Sequence, residues 1–257
     1  MLSQQQIDDF YEVGWLTIPD LFGPQELEVM RHCFDDLLVR ARQLQTTQIS
    51  DGSYFVLDHD NDDVIIKRVV WAGGCQPDLL KIGEDPRLVK PVLQLLGTDC
   101  VDQLLSQAHF KRPGDGVRFD WHQDIGHRDR GPGTWFDVNG RGSYVQTLLC
   151  VDDMTIENGP LMLLKGSAKW GRIDFGGYDD DEDYNTGLPF SFEKNNIVTV
   201  TAKAGSVLFF GPYTVHASFE NNSHTSRRVF INGYAYPGAN HFKYPGEDSG
   251  RALCLAK

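Results

Sequence analysis

The sequence lacks several features that mark whole classes of protein. It has no run of about 18 apolar residues, which excludes a transmembrane helix. Its 36 acidic residues outnumber 24 basic ones, and this balance disfavours a general nucleic-acid binder or a partner of anionic membranes. The first residues show neither the basic segment nor the apolar core of a secretory signal, so we expect a cytoplasmic protein.

Cysteine is also sparse. The five cysteines are scattered, and no two of them form a CxxC pair. This pattern disfavours both a disulfide framework and a cysteine-based zinc site. We expect all five to be reduced, and most of them to be core residues: Cys33, Cys75, Cys100, Cys150 and Cys254.

The pattern of apolar and polar residues changes once along the chain. Residues 1–100 are expected to be mostly helical, because Ser3 and Gln6 form a capping box and Pro24 opens a longer amphipathic pattern. Residues 102–240 instead contain short alternating segments separated by Gly, Pro and Asn, which are typical of a β-sandwich or barrel. We predict a mainly β fold with flanking helices, formed as one domain over residues 1–257.

One constellation of residues indicates metal chemistry. His122 and Asp124 follow a β segment, and residues two apart on an extended chain point to the same side. A second histidine, His216, lies on another short strand 94 residues later. Two histidines and one carboxylate form the facial triad of non-haem Fe(II) oxygenases, which leaves adjacent metal positions open for other molecules.

An arginine follows the second histidine at a distance that suggests an anion-binding role. Arg227 lies 11 positions after His216, at the start of an apolar strand. A buried arginine beside a metal needs an anionic partner, and a dicarboxylate would provide one. Ser218 shares a strand face with His216 and could bond the same carboxylate. Arg228 is the alternative to Arg227, since only one of two neighbours faces the interior.

These residues resemble the phytanoyl-CoA dioxygenase family of Fe(II)/2-oxoglutarate-dependent oxygenases. The resemblance rests on the set His122-x-Asp124, His216-x-Ser218 and Arg227, and it extends over nearly the whole chain. Further matching segments are FYEVGWLTIP at 10–19, NGPL at 158–161, KGS at 165–167, GSV at 205–207 and NGYA at 232–235. The chain departs from the family pattern at residue 165, where Lys replaces Pro, and at 168–169, where Ala-Lys replaces Ser-His.

The resemblance implies a double-stranded β-helix (a cupin-like jelly roll) with Fe(II) held by His122, Asp124 and His216. It also implies 2-oxoglutarate as cosubstrate, bound by Arg227 with help from Ser218, and O₂ as oxidant. The expected reaction is hydroxylation of a C–H bond of a small, polar metabolite, with release of succinate and CO₂. Desaturation, cyclisation and carbon–heteroatom cleavage use the same cofactor chemistry and stay open, as does a non-catalytic ligand-binding jelly roll.

Five further residues are candidates for lining the substrate and cosubstrate pockets. Gln107 and Lys111 lie on one face of the strand before the motif and are candidates for the cosubstrate pocket. Arg128 and Trp135, in the loop after the motif, and Phe55 are candidates for substrate contact. The sequence does not distinguish a monomer from a homodimer.

Overall fold

The computed structural model describes residues 1–60, 63–175 and 194–254. An acidic run at 179–183, expected to be a solvated loop, lies outside these residues. Within the described ranges, no helix is both long and apolar enough to cross a membrane.

The helices begin and end where local chemistry favours it. The first, α1 (Gln4–Val13), is capped by Ser3 in a capping box with Gln6 and ends at Gly14, whose φ is +109°. Proline opens each of the next three, which are α2 (Pro24–Leu44), α3 (Pro77–Gly83) and α4 (Pro86–Leu96). A single-turn helix, α5 (Ile125–Arg128), follows the metal motif.

Thirteen strands are present in the described residues, and they form two antiparallel sheets. In chain order they are β1 (Trp15–Ile18), β2 (Gln48–Ser50), β3 (Ser53–Asp60), β4 (Asp63–Val70), β5 (Cys100–Lys111), β6 (Phe119–His122), β7 (Tyr144–Cys150), β8 (Leu161–Leu164), β9 (Ile197–Thr199), β10 (Val207–Phe210), β11 (His216–Ser218), β12 (Arg227–Ala235) and β13 (Arg251–Cys254). The large sheet has the order β1-β10-β7-β12-β5-β4-β3-β2, with β13 paired to β5, and the small sheet has the order β6-β11-β8-β9.

Alternate residues of the large sheet face two different cores. Leu149 and Phe230 pack with Phe34 of α2 in the core between this sheet and the helices. Their neighbours Leu148 and Ile231 pack with residues of the small sheet in the core between the two sheets. Every residue of β7 is buried, because both faces of that strand are covered. This arrangement confirms the predicted mainly β, jelly-roll fold with helices outside.

Two expectations need correction. Residues 1–100 were expected to be mostly helical, but residues 48–70 contain β2, β3 and β4, which extend the large sheet. The prediction of five reduced cysteines was also wrong, because Cys100 and Cys254 form a disulfide. These two cysteines are cross-strand partners where β13 pairs with β5, a contact between residues 154 apart in sequence.

Candidate active site

The two sheets bring the three predicted metal ligands together. His122 at the end of β6 and His216 at the start of β11 are direct cross-strand partners. Asp124 follows at the start of α5. One ligand atom from each of the three residues lies within 4.8 Å of the others, and all three side chains are buried. The sequence therefore located a compact His-Asp-His cluster.

Backbone carbonyls orient both imidazole rings. Nδ1 of His122 lies 2.7 Å from the Asp120 carbonyl oxygen, and Nδ1 of His216 lies 2.8 Å from that of Thr214. A carbonyl only accepts, so Nδ1 carries the proton and Nε2 carries the lone pair. Burial, reinforced by the neighbouring His216, lowers the pKa of His122 well below its ordinary value, which keeps that ring neutral.

The carboxylate completes a donor set suited to a divalent metal. Asp124 Oδ1 lies 4.0 Å from His216 Nε2, and its Oδ2 is buried without a hydrogen-bond partner in the described residues. An unpaired buried carboxylate oxygen is costly, and a cation between it and the two imidazoles would remove that cost. The residues present therefore fit the metal that the facial triad predicts.

Residues around the ligands hold them in place. Gln123, which separates His122 from Asp124, donates to the carbonyls of Tyr213 and Gly171 at 2.7 and 2.8 Å. Thr214, whose carbonyl orients His216, donates its hydroxyl to the Gly14 carbonyl at 2.7 Å. Gly14 of the N-terminal FYEVGW segment thus helps to position the metal ligand His216 through Thr214. Sequence analysis had given Gln123 no role.

Arg227, and not Arg228, faces the interior. The Arg227 side chain is buried and donates to Ser218 Oγ at 2.8 Å and to the Gly159 carbonyl. Its Nε has no hydrogen-bond partner in the described part of the chain, and burial lowers its pKa to about 10. Arg228 points to the opposite face, where it pairs with Asp152 at 2.8 Å and with Asp35 at 2.9 Å.

The predicted face of β5 is present and is basic. Lys111 is the cross-strand partner of Arg227, and its buried amino group donates to the carbonyls of Ser218, at 2.7 Å, and Phe219. Burial and the charge of Arg227 lower the pKa of Lys111 to about 6. Gln107 accepts a hydrogen bond from His109 at 2.8 Å on the same face. Lys111 therefore lies beside Arg227, whereas Gln107 lies further along the strand.

Sequence analysis missed a further cation near the metal ligands. Arg68 of β4 is the cross-strand partner of His109, and its charge contributes to lowering the pKa of both His122 and His127, although burial is the larger cause. Its strand was not predicted, and Arg68 precedes the motif by more than fifty residues. No local signal could have placed it here.

The substrate candidates divide into two groups. Arg128 follows Asp124 by four residues, and Arg128 and Trp135 are both buried. Trp135 lines a cavity of about 770 Å³ together with His127. The His127 ring contacts that of His122, with centroids 5.8 Å apart, so one wall residue of this cavity touches a metal ligand. Phe55 was the wrong choice, because it lies in the core between the large sheet and the helices. It pairs with Val69, on the opposite face of the sheet from Arg68.

Comparisons with known proteins agree with this geometry. A family model described as phytanoyl-CoA dioxygenase (PhyH) matches residues 10–229. The chain belongs to the phytanoyl-CoA dioxygenase family. An Arabidopsis thaliana protein named phytanoyl-CoA dioxygenase is 30% identical, covering 89% of this chain and 87% of its own length. An ectoine dioxygenase of Bordetella bronchiseptica is 29% identical, covering 86% of this chain and 71% of its own length.

A solved structure shows that the fold is shared as well. The crystal structure of EctD from S. alaskensis with bound Fe superposes with a TM-score of 0.71 at 20% identity, covering 94% of this chain and 79% of that chain. Membership of the phytanoyl-CoA dioxygenase family confirms the predicted enzyme class, a 2-oxoglutarate-dependent non-haem iron dioxygenase.

Proposed function

We propose that this dioxygenase hydroxylates a C–H bond of a small, polar metabolite, converting R–H, O₂ and 2-oxoglutarate into R–OH, succinate and CO₂. The observation that carries the proposal is the buried His-Asp-His cluster, with Asp124 Oδ2 left without a partner in the described residues. A ligand-binding jelly roll without catalysis has no need of such a cluster, because the unpaired carboxylate would only destabilise its fold.

His122, Asp124 and His216 would hold Fe(II). When bound, the iron supplies the redox chemistry with O₂ that cleaves the oxoacid and oxidises the substrate. The protein's part is to fix both imidazole rings through the carbonyls of Asp120 and Thr214. Three ligands on one side of the metal leave its other positions open.

Arg227 would bind the distal carboxylate of 2-oxoglutarate. Its guanidinium is buried and has no carboxylate partner in the described ranges, and Ser218 Oγ lies 2.8 Å from its Nη2. A bidentate contact would compensate the buried charge. Lys111, neutral at pH 7 by its lowered pKa, lies beside Arg227 without adding a second buried charge.

The test is an anaerobic titration of metal-free protein with Fe(II) and then 2-oxoglutarate, followed through the visible charge-transfer band of the chelate. The wild-type protein should develop the band and, on admission of O₂, form succinate. Asp124→Ala should show no band, because one of three protein ligands is lost. The control Asp36→Ala removes an exposed carboxylate of α2 and should behave as wild type. A full band in Asp124→Ala would contradict the assignment.

A further inference from the structure

Most arginines of this chain that are not fully exposed pair with a carboxylate. Within the described ranges this is so for Arg31, Arg87, Arg112, Arg228 and Arg251. Arg128 and Arg227 differ, because both are buried, with 4% and 3% exposure, and neither forms a salt bridge with a residue that the structure describes. The chain has 36 acidic residues against 24 basic ones, so carboxylates are not scarce. Arg227 is explained by the cosubstrate, and Arg128 is not.

Arg128 is held next to the metal cluster by its position and by two aromatic rings. It follows Asp124 by four residues across the turn of α5, a spacing that places both side chains on one face. Its guanidinium carbon lies 5.1 Å from the ring centre of Tyr144 and 4.8 Å from that of Tyr244. The rings fix the guanidinium in place and leave its Nε and Nη1 without hydrogen-bond partners in the described residues.

A second unpaired donor packs on the same tyrosine. The Trp135 ring stands edge-on to Tyr144, with centroids 6.1 Å apart, and its buried Nε1 also has no partner among the described residues. Trp135 lines the cavity of about 770 Å³ together with His127, Arg130 and Arg172, and the His127 ring contacts that of the metal ligand His122. This volume suits a small molecule. Buried donors left unpaired, as on Arg128 and Trp135, are costly unless a ligand accepts from them.

We infer that Arg128 and the indole N–H of Trp135 form the oxyanion subsite of the substrate, which is therefore a small acid carrying a carboxylate or a phosphoryl group. This inference rests on the proposed function for the reaction that follows binding. This subsite would hold the acid group of the substrate at Arg128, which follows the metal ligand Asp124 on α5. The distal acid group of the cosubstrate would be held separately, by Arg227 and Ser218. A carboxylate or phosphonate accepts from both donors, and no residue of the chain has to move a proton.

The probes are acetate and methylphosphonate, with their uncharged counterparts acetamide and dimethyl methylphosphonate. Binding is measured calorimetrically on protein loaded with Co(II) and saturating 2-oxoglutarate, so that the Arg227 pocket is filled. The two anions should bind, and the uncharged compounds should not. Arg128→Gln should raise the Kd of the anions about tenfold or more, as expected for a lost charge-assisted hydrogen bond. The anion with the lower Kd identifies whether the substrate carries a carboxylate or a phosphoryl group.

The matched control is Arg141→Gln, which removes an exposed arginine of the same loop and should leave the Kd unchanged. Equal Kd values for wild type and Arg128→Gln, equal binding of charged and uncharged probes, or no binding of either anion to wild type would overturn the inference. If Arg128→Gln does not fold, Trp135→Phe decides the question, because an unchanged Kd for the anions in that variant would also overturn the inference.

Failure of the proposed function gives a different result. It would appear as a missing 2-oxoglutarate band in the wild-type protein, with the anion titration still measurable on metal-free protein. Arg227→Gln separates the two sites further, because it should weaken 2-oxoglutarate binding and leave the anions bound at Arg128. Loss of anion binding in Arg227→Gln, with retention in Arg128→Gln, would place the anions in the cosubstrate pocket and refute the subsite.

Discussion

Replacing Arg227 by Gln should weaken 2-oxoglutarate binding strongly without harming the unliganded fold. A charge-assisted hydrogen bond contributes about 1.5–3 kcal/mol, so the loss of one raises the Kd roughly 10- to 150-fold. The larger value is expected here because Arg227 is 3% exposed and solvent cannot replace the lost donor.

The same change should not reduce the stability of the protein without ligand. Burial lowers the pKa of Arg227 to about 10, which means that the folded state disfavours the charge when no anion is present. Gln keeps a donor for the Gly159 carbonyl and removes the charge. We therefore expect urea unfolding of the ligand-free variant to show equal or higher stability, while 2-oxoglutarate no longer raises the melting temperature.

Arg228→Gln is the matched control. It removes the same charge one residue away, on the face where Arg228 pairs with Asp152 and Asp35. This control should unfold at a lower urea concentration and bind 2-oxoglutarate with the wild-type Kd, measured through the charge-transfer band. If Arg228→Gln raises the Kd, or Arg227→Gln leaves it unchanged, the assignment of the interior arginine is refuted.

Two further predictions concern the same pocket. The pKa of Lys111 is about 6 in the folded protein and about 10.4 in the unfolded chain. Between these two pH values the unfolded state binds more protons than the folded state. The free energy of unfolding should therefore rise with pH over this range, by up to about 1.4 kcal/mol per pH unit. Lys111→Met should flatten that rise in urea titrations, and parallel profiles would contradict the burial of a neutral amine. Gly159→Ala should weaken 2-oxoglutarate binding and lower the melting temperature, because φ is +73° and a Cβ would lie 2.5 Å from the Phe219 carbonyl oxygen. Gly140→Ala, with φ +67° and open space around it, shares only the backbone strain, so equal losses in both variants would show that the close approach is unimportant.

Local spacing explains what the sequence could predict. His122 and Asp124 are two residues apart on one extended segment, and Ser218 stands in the same relation to His216. Such pairs need only the period of a strand to share a face. Local spacing does not decide between Arg227 and Arg228, since either neighbour could face inward. Pairing of β12 with β5 settles it by placing Arg227 opposite Lys111.

Non-local pairing explains what was missed. Phe55 and Arg68 belong to β3 and β4. Their positions follow from how these strands pair with each other and with β5, which the sequence alone does not show. A register shift between Val56 and Leu57 adds to the difficulty, because it changes which residues face the site. The disulfide depends in the same way on β13 reaching β5 from the end of the described chain.

The NGYA segment supplies no metal ligand, yet it has a structural reason to be there. A Cβ on Gly233 would lie 2.0 Å from the Tyr144 hydroxyl oxygen, so only glycine lets the Tyr144 ring occupy the place where Arg128 and Trp135 pack on it. Gly233 and Arg227 are six residues apart on β12, about 20 Å along a strand. The Tyr144 ring on which Arg128 packs and the backbone of Arg227 thus lie toward opposite ends of β12, a placement that fits two different acids, a substrate at one end and a cosubstrate at the other.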